Sequence, residues 1–286
     1  MNRNPDSPGV GQVLGEGWSL FISRFTTVFP WILAAELTAL LPFANPPGGI
    51  FSMDLDLLGD SGFWIRALLS GTVQAFLYGV AVQRLAAQTG AAGAARATAA
   101  VLVGYICYEA MVFFGLLLTF TMFILGMFIA GWLFGLVLCV LPLAPTAAAS
   151  TAMALFIFPA VLEKKGPFAS LNESARLTKI SRFTWAKVSL VISVPAIALL
   201  AAAVVGDIPG IRHAVTLALD LRRRALEGGL SADQLLPVLQ GLQPPTAPSR
   251  YEPWAVAGVL MGALAWWYTL AVCYAQYRDL KAGDRD

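Results

Sequence analysis

Two carboxyl groups stand inside long apolar stretches of this 286-residue chain. Glu36 lies within the apolar run Thr26–Ala44, and Glu109 is the single charged residue between Thr98 and Leu162. A carboxylate at the depth of a bilayer is costly unless it is protonated, paired or wetted. The chemistry that such groups could do is proton transfer or the binding of a cation.

The partners of these two carboxyl groups must be sought among uncharged side chains. No Lys or Arg lies at a matching depth, because Arg66 and Arg84 fall near the ends of their apolar run. Two interpretations remain open. Either Glu36 and Glu109 face each other or a polar cavity and handle protons or a cationic ligand, or each is a protonated acid bonded to a neighbouring helix. The candidate hydrogen-bond partners are Gln74, Tyr105, Tyr108 and Thr119.

The motifs of common catalytic and metal sites are missing from the sequence. The chain has one histidine, and it contains no H-E-x-x-H, Walker or G-x-S-x-G motif. The cysteines Cys107, Cys139 and Cys273 all lie in apolar runs and lack C-x-x-C spacing. We therefore expect no catalytic residue, no metal site and no cofactor.

The composition predicts an all-α, multi-span membrane protein. Hydrophobic residues make up 58% of the chain and charged residues only 13%, against about 25% charged in a soluble domain. We expect residues 1–286 to form one integral membrane domain of about six transmembrane helices plus amphipathic interfacial helices. Nothing in the charge pattern predicts a nucleic-acid partner.

The segment 163–187 holds six of the nineteen Lys and Arg residues, and it lies between two apolar runs. Residues 163–182 are therefore predicted to be a cytoplasmic basic segment. One interpretation is that it is a positive-inside flank and nothing more. The other is that it recognises anionic lipid headgroups. The candidate lipid contacts are Lys164, Lys165, Arg176, Lys179 and Arg182.

Hydropathy and turn residues set the predicted topology, which places both termini in the cytoplasm and thirteen of the nineteen basic residues inside. The run between 98 and 162 must cross an even number of times, and we expect two crossings with a reversal in 126–145; a third, re-entrant half-helix stays open. Gly131 and Gly135 form a G-x-x-x-G pair that allows close helix approach.

The first residues predict no cleavable signal peptide. The predicted elements are an interfacial helix at 10–25, spans at 26–44, 63–88, 183–205 and 254–275, and an extracytoplasmic helical loop at 207–250. For the helix at 10–25 an alternative stays open, in which it packs on the protein's own cytoplasmic face.

The run FPAVLEKKGPFASLNESARLTKISRFTWAKVSLV resembles the signature of the YciC-like inner-membrane proteins, which are similar to the membrane domain of some glycerophosphodiester phosphodiesterases. The resemblance implies a multi-pass bacterial inner-membrane protein of no established activity, and it brings no catalytic residue. This chain departs from the pattern in its larger insertion at 207–250 and in Glu36. The matching positions are Pro159, Glu163, Gly166, Ala169, Ser174, Arg176, Leu177 and Thr178.

Two functions follow as hypotheses. The first is a non-catalytic inner-membrane protein that serves envelope or lipid homeostasis through contacts with membrane lipids, a membrane-protein partner or a second copy of itself. The alternative is a small proton- or cation-coupled transporter or permease-like protein that uses Glu36 and Glu109. Their position relative to a cavity would discriminate between the two.

Overall fold

Helices form almost all of the described part of the chain. The computed structural model describes residues 9–40, 61–88, 92–130, 132–178, 187–191 and 253–284, with single positions or pairs at 197–198, 201–202, 205, 212, 216 and 223. No strand occurs within these ranges. The helices are α1 (Val10–Ser23), α2 (Phe25–Leu37), α3 (Ser61–Leu85), α4 (Ala92–Ala130), α5 (Trp132–Met153), α6 (Ile157–Leu162), α7 (Pro167–Thr178) and α8 (Pro253–Gly283).

Three described helices are long and apolar enough to cross a membrane, judged by length and composition. They are Trp64–Leu85, Leu133–Leu162 and Val256–Gly283. The count rises to four if α1 and α2 are taken as one bent crossing. The described part of the chain is thus helical and contains three or four candidate membrane-spanning helices, and the number six remains a prediction.

The predicted interfacial helix corresponds to α1, which meets α2 at an angle of 88°. Arg24 lies at the bend, as the C-cap of α1 and the N-cap of α2. One face of α1 rests on α8, where Trp267 donates its indole N–H to the carbonyl of Phe21 at 3.1 Å. Trp18 and Ile22 of α1 are nevertheless more than half exposed. The placement of α1, along the membrane surface or on the cytoplasmic face of the protein, remains a prediction.

Close backbone contact joins α4 and α5 into an antiparallel hairpin. A Cβ added at Gly126 would meet the Cα of Gly135 at 2.5 Å, and one added at Gly115 would collide with Thr146. Because 126 faces 135 while 115 faces 146, the two helices run in opposite directions. The reversal falls between Ala130 and Trp132, inside the range predicted for it.

The core lies where α2, α3, the start of α4, α6 and α8 meet. Its largest fully buried side chains include Trp267, Phe158, Ile32 and Leu155. In contrast, large apolar side chains along α3, α4 and α5 stay exposed, among them Leu68, Leu117 and Leu141. An apolar surface of this extent favours lipid over water.

A turn at 154–156 separates α5 from α6, and α7 holds it in place. The Ser174 hydroxyl on α7 donates to the carbonyl of Ala152 at 2.7 Å and accepts the N–H of Leu155 at 3.1 Å. Ser174 is fully buried. The turn therefore has its broken helical hydrogen bonds replaced by a side chain, as a buried backbone requires.

Several predicted boundaries differ from the structure. The predicted span 26–44 is described only to Leu40, where α2 passes into a 3-10 turn over Thr38–Leu40. The predicted last span ends at 275, yet α8 continues to Gly283 because its end packs against α7. The span 183–205 and the loop 207–250 fall largely outside the described residues.

Candidate functional site

A cavity of about 320 Å³ opens between α2, α3, α4, α6 and α8. Its wall is mostly apolar and aromatic. The polar side chains in the wall are Glu36, Gln74, Tyr78, Tyr105, Tyr108 and Thr269, together with the thiol of Cys273. Ligand pockets in proteins are typically apolar clefts of about 300 to 1,000 Å³ with a few polar groups, so this cavity is the candidate binding site.

Glu36 enters the cavity from the last turn of α2. The turn is fixed from both sides, because Thr38 donates to the carbonyl of Ala35 at 2.6 Å and Gln74 reaches the same carbonyl at 3.4 Å. Tyr78 donates its hydroxyl to Oε1 of Glu36. The carboxyl group is thus held against α3 by a phenol.

The spacing of side chains on α3 and α4 explains how the wall forms. Gln74 and Tyr78 are four residues apart, and Tyr105 and Tyr108 are three apart, so each pair shares one helix face. The ring of Tyr78 lies 5.9 Å from that of Trp266 on α8, centroid to centroid. The wall therefore presents one acidic group among several aromatic rings.

The charge of the wall is unbalanced. Among the seventeen described residues that line the cavity there is no Lys, Arg or His. Glu36 carries the single carboxyl group among them. A carboxylate in such surroundings needs a proton or an incoming cation to balance its charge.

The structure brings three of the four predicted polar-site residues together, since Glu36, Gln74 and Tyr105 line the same cavity. The side chain of Glu109 lies outside what the structure describes, so a contact with Glu36 remains one of two hypotheses. Sequence reasoning missed Tyr78 and Trp266. The available signal for Tyr78 was its position four residues after Gln74 in one predicted span.

A second cluster of polar side chains joins α7 to the end of α8. Glu173 lies 2.6 Å from Lys281, 2.9 Å from Arg176 and 3.3 Å from Lys165, measured between charged atoms. Glu163 binds the same two lysines at 2.8 and 2.9 Å and accepts the hydroxyl of Tyr277. We call the residues Glu163, Lys165, Glu173, Arg176, Tyr277, Lys281 and Asp284 the α7–α8 clamp.

The clamp perturbs its carboxyl groups. The hydrogen bond from Arg176 holds the pKa of Glu173 well below its ordinary value. Partial burial acts to raise this pKa, and the hydrogen bonds from Lys281 and Lys165 lower it further. Burial works to raise the pKa of Glu163, but hydrogen bonds from Lys165, Tyr277 and Lys281 outweigh it and leave that pKa lowered. Both groups are therefore ionised and paired at neutral pH.

The clamp changes the interpretation of the predicted lipid contacts. Lys165 pairs with Glu163 and Glu173, and Arg176 forms a 2.7 Å pair with Asp284 besides its pair with Glu173. Two of the five candidate cations are thus neutralised within the chain. Lys164 is exposed, with a backbone φ of 57°, while Lys179 and Arg182 lie outside the described residues. Within the described ranges, no group of three or more His, Cys, Asp or Glu could hold a metal ion.

Several of the residues that carry the family resemblance make contacts that stabilise the fold of this chain. Ser174 secures the turn at 154–156, Leu177 is fully buried, and Glu163 and Arg176 belong to the clamp. Comparison with family models, with curated proteins and with solved structures gave no match.

Proposed function

We propose that this chain is a non-catalytic integral protein of a bacterial inner membrane that serves envelope or lipid homeostasis by holding a small amphiphilic ligand in the cavity around Glu36. The resemblance of 159–178 to the YciC-like proteins supports the location. The observation that carries the binding role is the cavity itself, an apolar wall with one carboxyl group. Such a wall matches a molecule with an apolar body and one polar or charged end.

The cavity supports binding better than the basic segment does. Lys165 and Arg176 would have to give up the carboxylates of the clamp before they could contact a headgroup. Exchange of one ion pair for another gains little at a wet surface. Among the described candidates, Lys164 is exposed and lies outside the clamp, so it stays available for contact with anionic lipid.

A bulky side chain placed inside the cavity tests this function. Thr269 lines the cavity from α8, whereas Thr121 is exposed on α4. We expect Thr269→Trp to occupy part of the cavity and displace the ligand, since the indole and the ligand would compete for the same space. Thr121→Trp is the matched control, because it makes the same change on a lipid-facing surface.

Native mass spectrometry of protein released from its membrane measures the bound ligand. The expected result is one small-molecule adduct on the wild-type chain and on Thr121→Trp, and its loss from Thr269→Trp. If all three proteins carry the same adducts, or none, the cavity is not a ligand site and the proposal fails.

Proton- or cation-coupled transport is the second candidate function. The specific observation that favours it is the place of Glu36, in the wall of a cavity between α2 and α8. An intramembrane carboxyl group in a cavity is a common carrier of protons or cations. The test of this function is the uptake of protons or cations by proteoliposomes under an imposed proton gradient. If Glu36→Gln leaves this uptake unchanged, Glu36 does not have this role.

A further inference from the structure

We infer that the ligand of the Glu36 cavity bears an organic cation, a quaternary ammonium group, a step that rests on the proposed function. Three features of the cavity lead to this ligand class: its unbalanced charge, its aromatic wall and the way Glu36 is already bonded.

The first feature is charge. Glu36 is surrounded by apolar and aromatic side chains, and no Lys, Arg or His occurs among the described lining residues. A buried carboxylate that lacks a cation is costly. A ligand that brings its own positive charge removes this cost, whereas an anionic ligand would add a second uncompensated charge. The cavity thus selects for a cation against an anion.

The second feature is the aromatic wall. Six rings line the cavity, and two of them, Tyr78 and Trp266, are 5.9 Å apart with an angle of 56° between their planes. Ring faces attract a cation within about 6 Å of their centroid, and cages of this kind are used for quaternary ammonium groups. The rings belong to Tyr78, Tyr105, Tyr108, Phe156, Phe158 and Trp266.

The third feature is the hydrogen bonding of Glu36. Tyr78 already donates to Oε1. A Cβ added at Gly262 would lie 3.7 Å from Oε2 of Glu36. The backbone of α8 therefore comes close to this oxygen at a position that has no side chain. A quaternary ammonium group has no N–H to donate, and it balances the carboxylate through charge alone. It therefore leaves the bond from Tyr78 intact.

The size of the cavity sets the size of the ligand group. Its volume of about 320 Å³ is roughly twice the ~150 Å³ of an apolar cavity that accepts benzene. A trimethylammonium group together with a ring or a short chain fits this space. A complete phospholipid does not, and only its head or one end would enter.

An isosteric pair of probes tests the inference. Benzyltrimethylammonium and neopentylbenzene have the same shape and differ in one positive charge at the central atom. We would titrate each into the full-length protein in nanodiscs by calorimetry and subtract the signal of empty nanodiscs. The expected result is that the cation binds at least about tenfold more tightly, a difference of about 1.4 kcal/mol.

Two variants separate the carboxyl group from a general effect of charge. Glu36→Gln should lose about tenfold in affinity for the cation and keep its affinity for the neutral probe. Glu16→Gln is the matched control, because Glu16 lies on α1 in an exposed pair with Arg278 and takes no part in the cavity. Its affinities should equal those of the wild type.

Several outcomes would overturn the inference. Equal affinity of the wild type for the two probes, or no binding of the cation, contradicts a cation site even if Glu36→Gln fails to fold. Equal loss of both probes in a folded Glu36→Gln protein contradicts the charge-based role of Glu36. In each case the proposed function is judged separately, by the adduct that Thr269→Trp should displace.

Discussion

At the scale of single residues, Glu36 and Tyr78 decide what the cavity can do. The carboxyl group sits in the last turn of α2, and the phenol reaches it from α3, forty-two positions away in sequence. Gln74, one turn before Tyr78, bonds to the backbone beside Glu36. The pair therefore joins two helices at the point where the cavity wall is polar.

Removal of the Tyr78 hydroxyl tests this pair. Tyr78→Phe keeps the ring but leaves Glu36 without its phenol donor, and we expect it to lower the free energy of unfolding by about 1–3 kcal/mol. Tyr268→Phe is the control, because the contacts of Tyr268 with Trp18 and Phe21 come from its ring; we expect a change within about 0.5 kcal/mol. Denaturant titration in mixed micelles measures both. Equal effects would mean that the hydroxyl of Tyr78 has no special role.

The residues of the cavity were partly predictable from sequence, for a physical reason. A carboxyl group in an apolar run needs hydrogen-bond partners. Gln74 and Tyr105 were therefore predicted as partners of Glu36, because they are polar groups at a similar depth. Tyr78 and Trp266 carry no such demand, because aromatic side chains are stable in apolar helices. Which aromatic rings meet depends on helix rotation and packing, which a single sequence does not define.

At the scale of elements, the α7–α8 clamp ties the basic segment to the end of α8. Lys187 adds a further link, at 2.7 Å from Asp279 of α8. The helical continuation of α8 beyond the predicted end at 275 follows from these contacts, since Tyr277 and Lys281 both bond to α7 or to the residues before it. Sequence showed the charges of both segments but not their pairing, which joins positions at least 92 residues apart.

The clamp should make stability depend on pH. The pKa of Glu173 is lowered in the folded protein, so the folded state binds fewer protons than the unfolded state, and stability rises with pH in that range. The contribution is complete above the ordinary pKa of 4.5 and is lost as the pH falls below it. At neutral pH we expect Glu173→Gln to cost about 1 kcal/mol, less at high salt.

Unfolding midpoints between pH 7 and pH 3 measure this effect. Glu173→Gln should reduce the change in the unfolding midpoint between pH 7 and pH 3. Glu16→Gln should leave this change almost as in the wild type, because the ion pair of Glu16 with Arg278 is half exposed. A wild-type and a Glu173→Gln protein that lose stability in parallel as the pH falls would show that the clamp does not stabilise the fold.

The α4–α5 hairpin depends on glycine at its closest approach. Gly126→Ala would place a Cβ 2.5 Å from the backbone of Gly135, which cannot move aside as a flexible side chain could. We expect a loss of about 1–3 kcal/mol in the free energy of unfolding. Gly15→Ala on α1 is the control, since nothing lies within 4 Å of the added Cβ. If both variants unfold alike, the close contact does not hold the hairpin together.

Glycine at this interface was expected from the sequence, but its partner was not. The pair Gly131 and Gly135 suggested one close helix approach. In the structure Gly135 faces Gly126 of the other helix. Uniform hydropathy over 98–162 gives no register, so the pairing follows from where the chain reverses.

At the scale of the whole molecule, the question is how the helices sit in a membrane. With 39 residues α4 is about 58 Å long, well beyond a hydrocarbon core of ~30 Å. It must tilt strongly or reach past the core. Composition alone predicted a helical membrane protein, and the described helices agree with that class. The number of crossings depends on how long helices such as α4 are placed, which hydropathy does not determine.

The predicted orientation has both termini in the cytoplasm. Because the clamp ties the end of α8 to the basic segment, both should lie on the same side of the membrane. A green fluorescent protein fused after residue 286 should fluoresce, and alkaline phosphatase at that position should stay inactive. The opposite result is expected for insertion of either reporter at 243, within the predicted extracytoplasmic loop. Active phosphatase at the C-terminus would contradict this orientation.

Glu36 is proposed to face a ligand-binding cavity inside a membrane-embedded helical protein. An electron cryo-microscopy map of the full-length protein in native-lipid nanodiscs tests it most directly. We expect density of a bound molecule in contact with Glu36 and Tyr78, enclosed by α2, α3, α4 and α8. A map in which side chains fill this space, or in which Glu36 points into the surrounding lipid, would contradict it.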